Sequence, residues 1–170
     1  MSRTVLVVGG GGREHALCLA LSSSASINEI HTTPGNAGTQ HYGTNHNISA
    51  SDIAGLVDLS MQLDVDFVVV GPEAPLCDGL ADQLLEVGIP CFGPQQIHAE
   101  LEGSKLFAKK TMDAAGVPTA NYDVLDGTSD IDACLDARSK EPWVIKRDVL
   151  AGGKGVVVTS NRVEAVAFIE

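Results

Sequence analysis

Thr4-Val5-Leu6-Val7-Val8-Gly9-Gly10-Gly11-Gly12-Arg13-Glu14-His15 decides how this chain is to be read. Its β-branched and aliphatic run carries no polar interruption, which predicts a strand over Thr4 to Val8 buried on both faces. The glycines that follow predict a tight turn into a helix over Glu14 to Leu21. Where such a strand meets such a helix, backbone N–H groups and the positive end of the helix converge, and that is the physical basis of an anion site, above all for phosphate. The candidates are Gly10, Gly11, Gly12, Arg13 and Glu14, with Arg13 the one cation beside the loop. A dinucleotide fingerprint would need a third glycine, but counting from Gly9 the position holds Glu14, and from Gly10 it holds His15. The second strand ends in Thr32-Thr33-Pro34 instead of a carboxylate for an adenosine ribose, so a nicotinamide-dependent oxidoreductase is disfavoured.

Outward from that turn, Ile27 to Thr33 reads as a second strand closed by Pro34-Gly35-Asn36-Ala37-Gly38-Thr39. Val65 to Val70 reads as a third, stopped by Gly71-Pro72-Glu73-Ala74-Pro75-Leu76, and Pro90 to Phe92 as a short fourth. Helices are expected between them, one capped by Ser51-Asp52 and one capped by Asp78 and running through Val87. This alternation predicts an α/β fold with a Rossmann-like parallel sheet. In such a sheet the loops leaving the carboxyl ends of neighbouring strands line one crevice. Glu73, between two prolines that stiffen its loop, is placed to accept hydrogen bonds from sugar hydroxyls, while Asn36 is placed to reach a phosphate.

The chain has 170 residues, a net charge of −11, 44% hydrophobic residues and 19% charged residues. These values predict a globular protein and exclude recognition of nucleic acid by a basic face. No apolar stretch is long enough for a membrane span and no cleavable leader opens the sequence, so the cytoplasm is the expected compartment. Residues 1–100 hold eleven acids against two bases, Arg3 and Arg13, whereas the rest is nearly balanced. The shift predicts two domains, 1–101 and 102–170. In the second, helices are expected over Ser104 to Ala115 and Ile131 to Ala137, and strands over Asn121 to Leu125, Trp143 to Lys146 and Val156 to Thr159. A last helix capped by Asn161 still runs at Glu170, as expected of a piece of a longer chain. Lys146, Asp148, Gly152, Gly153, Lys154 and Gly155 form a glycine flap with cations at both ends, suited to covering phosphates, and Lys105 can extend toward the same nucleotide. It is not a Walker loop, because Gly155 follows Lys154 where serine or threonine is required. The scattered Cys18, Cys77, Cys91 and Cys134 read as reduced packing residues, and His31, His41, His46 and His98 as loop or surface residues without ligand spacing. No catalytic or metal-binding constellation is readable. A silent nucleotide- or sugar-phosphate-binding module therefore stands beside an enzyme as a reading of these residues.

Val8 through Ala16, Pro34 to Thr39, Val70 to Leu76, Glu102 to Lys105 and Lys146 to Val156 together resemble the phosphoribosylamine-glycine ligase (glycinamide ribonucleotide synthetase) family of purine biosynthesis. The motifs occur in family order along essentially the whole chain. The resemblance implies a substrate-binding Rossmann-like domain followed by the beginning of an ATP-grasp domain. It further implies that ATP phosphorylates the glycine carboxylate and that the amine of phosphoribosylamine attacks the acyl phosphate, giving glycinamide ribonucleotide, ADP and phosphate. Gly10 to Glu14, Asn36 and Glu73 would then serve the phosphoribosyl group, and Lys105, Lys146, Asp148, Gly152, Gly153, Lys154 and Gly155 would serve ATP.

Two departures stand out. Where the family pattern has Lys-Ala-[Asp/Ser]-Gly-Leu-Ala-Ala-Gly-Lys-Gly, this chain has Arg147 and Val149 after Lys146 and Asp148, so Arg147 is expected either to touch phosphate or to pair with Asp148. Family enzymes are also more than twice as long, and the resemblance places the acidic and asparagine ligands for magnesium or manganese in the part not present here. The chain alone is accordingly expected to bind small molecules without catalysing, and to self-associate through apolar surface of the 104–115 helix.

Overall fold

The computed structural model describes residues 2–138, 142–150 and 154–170. The chain divides into two compact units, Met1–Glu100 and Leu101–Glu170.

In the first unit β1 (Arg3–Gly9) leads into α1 (Gly12–Ser22), and β2 (Ile27–Pro34) is followed by a 3-10 turn at Thr39–His41 and a two-residue β3 (Thr44–Asn45). Next come α2 (Ile53–Gln62), β4 (Phe67–Val70), α3 (Ala74–Cys77), α4 (Leu80–Glu86), β5 (Cys91–Phe92) and α5 (Gln96–Gly103), whose last turn passes into the second unit. The strands form one sheet in the order β3-β2-β1-β4-β5, and every neighbouring pair is parallel. The direction of winding reverses beside β1, which pairs with β2 on one side and β4 on the other; this switch point is where open α/β sheets bind ligands.

Side-chain alternation along the strands feeds two cores. Leu6 and Val8 of β1 join Leu56, Leu59, Val68, Val70, Leu80 and Leu84 on one face. Val5 and Val7 join Cys18, Ile30 and Val69 on the other. Val5 through Val8 have no exposed surface, which explains why their run lacks polar residues, and each such Val or Leu contributes about 1.5–3 kcal/mol. Asp52 caps α2 by accepting the Gly55 N–H at 3.0 Å.

Two expectations are corrected in this unit. Asp78 is the C-cap of α3 instead of capping α4, whose N-cap is Gly79 at φ +87°, because a helix with Pro75 in its first turn begins directly after Glu73 and the left-handed glycine turns the chain into the next. His31 is buried, 6% exposed, within the Ile30–Thr33 stretch of β2 rather than lying in a loop or on the surface. It meets His46 with 3.0 Å between Nδ1 and Nε2. Glu14 is buried as well, 4% exposed.

The second unit contains α6 (Lys105–Ala115), α7 (Ile131–Ala137), β6 (Trp143–Lys146), β7 (Val156–Thr159) and α8 (Arg162–Ile169). β6 and β7 form an antiparallel pair with Lys146 opposite Val156. Ser104 caps α6 through Phe107 N–H, and Asn161 caps α8 through Val163 and Glu164 N–H. The strand expected at Asn121 to Leu125 does not form. Side chains of α6 engage it and the residues just before it: Tyr122 Oη donates to Asp113, and Lys109 Nζ donates to Thr119 Oγ1 and the Ala120 carbonyl.

Candidate functional site

The loops that follow β1, β2 and β4 meet at the switch point. Gly35 N–H donates to the Gly9 carbonyl at 3.1 Å, and Gly71 N–H donates to the Val8 carbonyl at 2.9 Å. Arg13 and Glu73 close the mouth, with Nη1 to Oε1 at 3.3 Å. Gly10, Gly11, Gly12, Arg13 and Glu73 are exposed around it. The Arg13 guanidinium is held above its ordinary value by its bonds to Glu14 and then Glu73. Glu73 sits below the usual carboxylate range, chiefly through its own backbone N–H; desolvation opposes this and Arg13 reinforces it.

Asn36 and Glu14 work behind this surface. Asn36 Nδ2 donates to the Gly10 and Gly11 carbonyls at 3.0 and 3.1 Å, and its Oδ1 accepts the Gly38 and Thr39 N–H groups. The Asn36 amide is thus engaged in loop structure and not aimed outward. Glu14 Oε2 accepts the Gly11 N–H at 2.5 Å, and Oε1 lies 3.4 Å from Arg13 Nε.

Two further residues hold the site that the sequence did not single out. The fully buried Thr39 accepts the Asn36 N–H and donates to Asn45 Oδ1, and Asn45 Nδ2 returns a bond to the Asn36 carbonyl. The Asn36-x-x-Thr39 spacing of an Asx turn was a readable signal for Thr39; Asn45 carried none. His15 packs its ring against Tyr42, 5.6 Å between centroids.

In the second unit the flap begins beside the start of α6. Asp148 accepts Ser104 Oγ at 3.0 Å and the Leu106 N–H at 3.0 Å, and Lys105 Nζ donates to the Val149 carbonyl at 2.9 Å. Burial pushes the Asp148 carboxyl up, but the Leu106 N–H, the Ser104 hydroxyl and Lys105 outweigh it and hold the group below its ordinary value. Arg147 neither pairs with Asp148 nor faces it: its guanidinium lies over the Phe168 ring, 5.1 Å from the centroid. Its N–H meets the Gly155 carbonyl at 2.8 Å. Lys146 and Lys154 are exposed and Gly155 is buried; Gly152 and Gly153 lie outside the described residues. Among the described residues no group of three or more His, Cys, Asp or Glu is arranged to hold a metal ion, and no helix is long and apolar enough to cross a membrane.

Comparison with known proteins identifies the family of the chain. Residues 3–102 match the family described as phosphoribosylglycinamide synthetase, N domain, and residues 103–170 match its ATP-grasp (A) domain. A phosphoribosylamine-glycine ligase of Streptomyces coelicolor is 51% identical over 157 residues, covering 92% of this chain and 38% of that protein. The crystal structure of the phosphoribosylamine-glycine ligase of Thermotoga maritima superposes with a TM-score of 0.74 at 31% identity, covering 96% of this chain and 38% of that one. An N5-carboxyaminoimidazole synthetase from Staphylococcus aureus, complexed with ADP, shares the fold at a TM-score of 0.74 and 17% identity. This chain spans well under half the length of the ligases it matches. With family models matched along residues 3–170 and a relative half identical across nearly all of it, the chain belongs to the phosphoribosylglycinamide synthetase family.

Proposed function

We propose that this chain forms the phosphoribosyl-binding part and the beginning of the ATP cradle of a cytoplasmic ligase that joins glycine to 5-phosphoribosylamine, giving glycinamide ribonucleotide, ADP and phosphate. Residues 1–101 take the sugar phosphate and residues 102–170 begin the ATP-grasp domain. The observation that carries the reading is the meeting of three loops at the switch point, where the start of α1 and Arg13 face the same mouth as Glu73. In this reading Gly10 to Arg13 receive the phosphate and Glu73 accepts the ribose hydroxyls.

The chemistry requires activation, because a carboxylate is a poor electrophile until one oxygen becomes part of a phosphate leaving group. Phosphoryl transfer is served by positioned cations, and the acyl phosphate must be kept from water. Lys105, Lys146 and Lys154 are the cations that would hold ATP, and the glycine flap would shield it. Magnesium accompanies ATP in this chemistry, and the described residues offer no ligand cluster for it. No step is therefore assigned to a metal on this chain. Having under half the length of its relatives, the chain binds without completing the reaction.

Calorimetric titration with glycinamide ribonucleotide, with NADH as control, tests the reading. Binding of the ribonucleotide alone, weakened by Arg13→Ala and by Glu73→Ala, supports it; binding of NADH instead overturns it. Self-association belongs to the same proposal, since no residue of α6 is buried and Val144, Val158 and Val163 are 56%, 63% and 78% exposed. A sedimentation profile that stays monomeric at every concentration counts against that part.

A further inference from the structure

Glu14 is the one buried acidic residue among those described, 4% exposed at the start of α1. Its burial follows from helix phase: it lies four residues before Cys18, the other buried residue of α1, on the stripe that faces the sheet. The space it fills is made of glycines. A Cβ on Gly9, on Gly11 or on Gly71 would run into the Glu14 side chain. Gly9 ends β1 and Gly71 follows β4, so this side chain lies across the switch point from one loop to the other.

Burying a carboxylate is costly unless hydrogen bonds replace its water. Here the Gly11 N–H at 2.5 Å and Arg13 Nε at 3.4 Å do so, and the helix start favours the charge. The same Gly10–Gly11 peptide is held at its other end, where the Gly10 carbonyl accepts from Asn36 Nδ2 at 3.0 Å, and the Gly11 carbonyl accepts from that Nδ2 at 3.1 Å and from the His15 N–H at 3.2 Å. Mere filling of space would need only apolar bulk. The carboxylate does more: it removes the Gly11 N–H from the donors open to an anion and turns the guanidinium of the one nearby cation.

We propose that Glu14 is a positioning residue for the phosphate of the sugar-phosphate ligand, bracing Gly11 and Arg13 from beneath and leaving the Gly12 and Arg13 N–H groups and the guanidinium face to the anion. The inference rests on the sugar-phosphate reading above. It goes beyond that reading in withdrawing the Gly11 N–H from the donors to the ligand, and it makes Asn36 the partner that clamps the Gly10–Gly11 peptide from its carbonyl side.

The test uses the 15N-labelled chain and ribose 5-phosphate as probe. The Gly11 amide proton of the unmodified chain resonates downfield of ordinary glycine amides, as a short bond to a carboxylate requires, and Glu14→Gln moves it upfield. Ribose 5-phosphate binds Glu14→Gln about tenfold more weakly than the unmodified chain, with the melting transition still cooperative. An unmoved Gly11 signal, or an unchanged affinity beside a moved signal, overturns the proposal. If Glu14→Gln fails to fold, Asn36→Ala replaces it: a shifted Gly11 signal with affinity about tenfold lower supports the brace, and an unshifted signal or unchanged affinity overturns it. If the unmodified chain does not take up ribose 5-phosphate, the sugar-phosphate reading fails, and the Gly11 signal alone decides whether Glu14 braces the loop.

Discussion

Replacing Glu73 by glutamine should tighten the binding of inorganic phosphate, although Glu73 belongs to the proposed site. In the ligand-free molecule its carboxylate competes for Arg13, with Nη1 to Oε1 at 3.3 Å and the two side chains 57% and 50% exposed. Two unit charges at that separation in water attract by about 1 kcal/mol. The entropy of holding two long exposed side chains together reduces the net worth of such pairs to about 0.2–1 kcal/mol. A phosphate that takes Arg13 must forgo that amount, so Glu73→Gln should lower its dissociation constant by about 1.4- to 5-fold. Ribose 5-phosphate should gain less, because the variant also loses the charged acceptor for the sugar hydroxyls. The ratio of the two affinities is thus the more informative quantity. Calorimetry with both ligands at low salt measures it, and a repeat at 1 M salt, where the Debye length falls to about 3 Å, should shrink the phosphate effect. Weaker phosphate binding by Glu73→Gln at low salt would refute the reasoning, since it would mean that Glu73 assists the anion instead of competing with it.

Gly9→Ala should destabilise the chain by about 1–3 kcal/mol, because Gly9 sits at φ +127° with Glu14 and Pro72 in the way of a Cβ, whereas Gly12→Ala, with nothing within 4 Å, should be nearly neutral; urea melts of the two variants compare them. Burial and then the neighbouring His31 hold His46 below its ordinary value of 6.5. The unfolded chain therefore takes up a proton first as pH falls, and stability should decline from about pH 6.5 down to the lower folded value and be full above it. A His46→Gln variant should flatten that part of the stability profile in urea melts at a series of pH values. The Cys91 thiol is pushed up to about 11 by burial from 9.0. At pH 8 it should alkylate roughly a hundredfold more slowly than an unperturbed thiol of equal access, with the rate climbing toward pH 11; mass spectrometry of iodoacetamide-labelled peptides follows it.

How legible each part was depended on whether its cause lies nearby in the chain. β1 and its glycine turn could be read directly because Val5 to Val8 are buried on both faces and leave no polar residue to blur the run. β3 could not, since Thr44 and Asn45 become a strand only by pairing with His31 and Thr32 of β2. The opposite error arose at Asn121 to Leu125, where a plausible strand does not form: Tyr122 donates to Asp113 of α6, and Lys109 holds Thr119 and Ala120 just before it. His31 was misplaced because a polar residue inside a parallel strand looks like a loop residue until its partner His46, fifteen positions away, is known. The motifs singled out candidate residues but not how the structure employs each of them. Arg13 and Glu73 face outward, while Asn36 hydrogen-bonds the loop backbone and Asp148 accepts from Ser104 and the first turn of α6. For Glu14 the signal was present in the spacing to Cys18, which puts both on one helical face.

That division follows from the charge of the unit that holds the mouth. Residues 1–100 carry eleven acids against Arg3 and Arg13, so their long-range field repels an anionic ligand. On the proposed reading, recognition of phosphate there must come from short-range donors whose positions are fixed before the ligand arrives, since flexible donors would have to be ordered against an unfavourable field. The glycine loop supplies N–H groups but resists ordering, each glycine losing more freedom on folding than any other residue. Braces on both sides of the Gly11 peptide meet that need, and a buried carboxylate suits the N–H side because only an acceptor can hold that group while also orienting a guanidinium. An acidic residue inside an anion site looks like a contradiction at the level of net charge, and it is resolved at the level of geometry: the negative charge is spent on Gly11 and Arg13 beneath the loop, and the donors at the start of α1 remain above it.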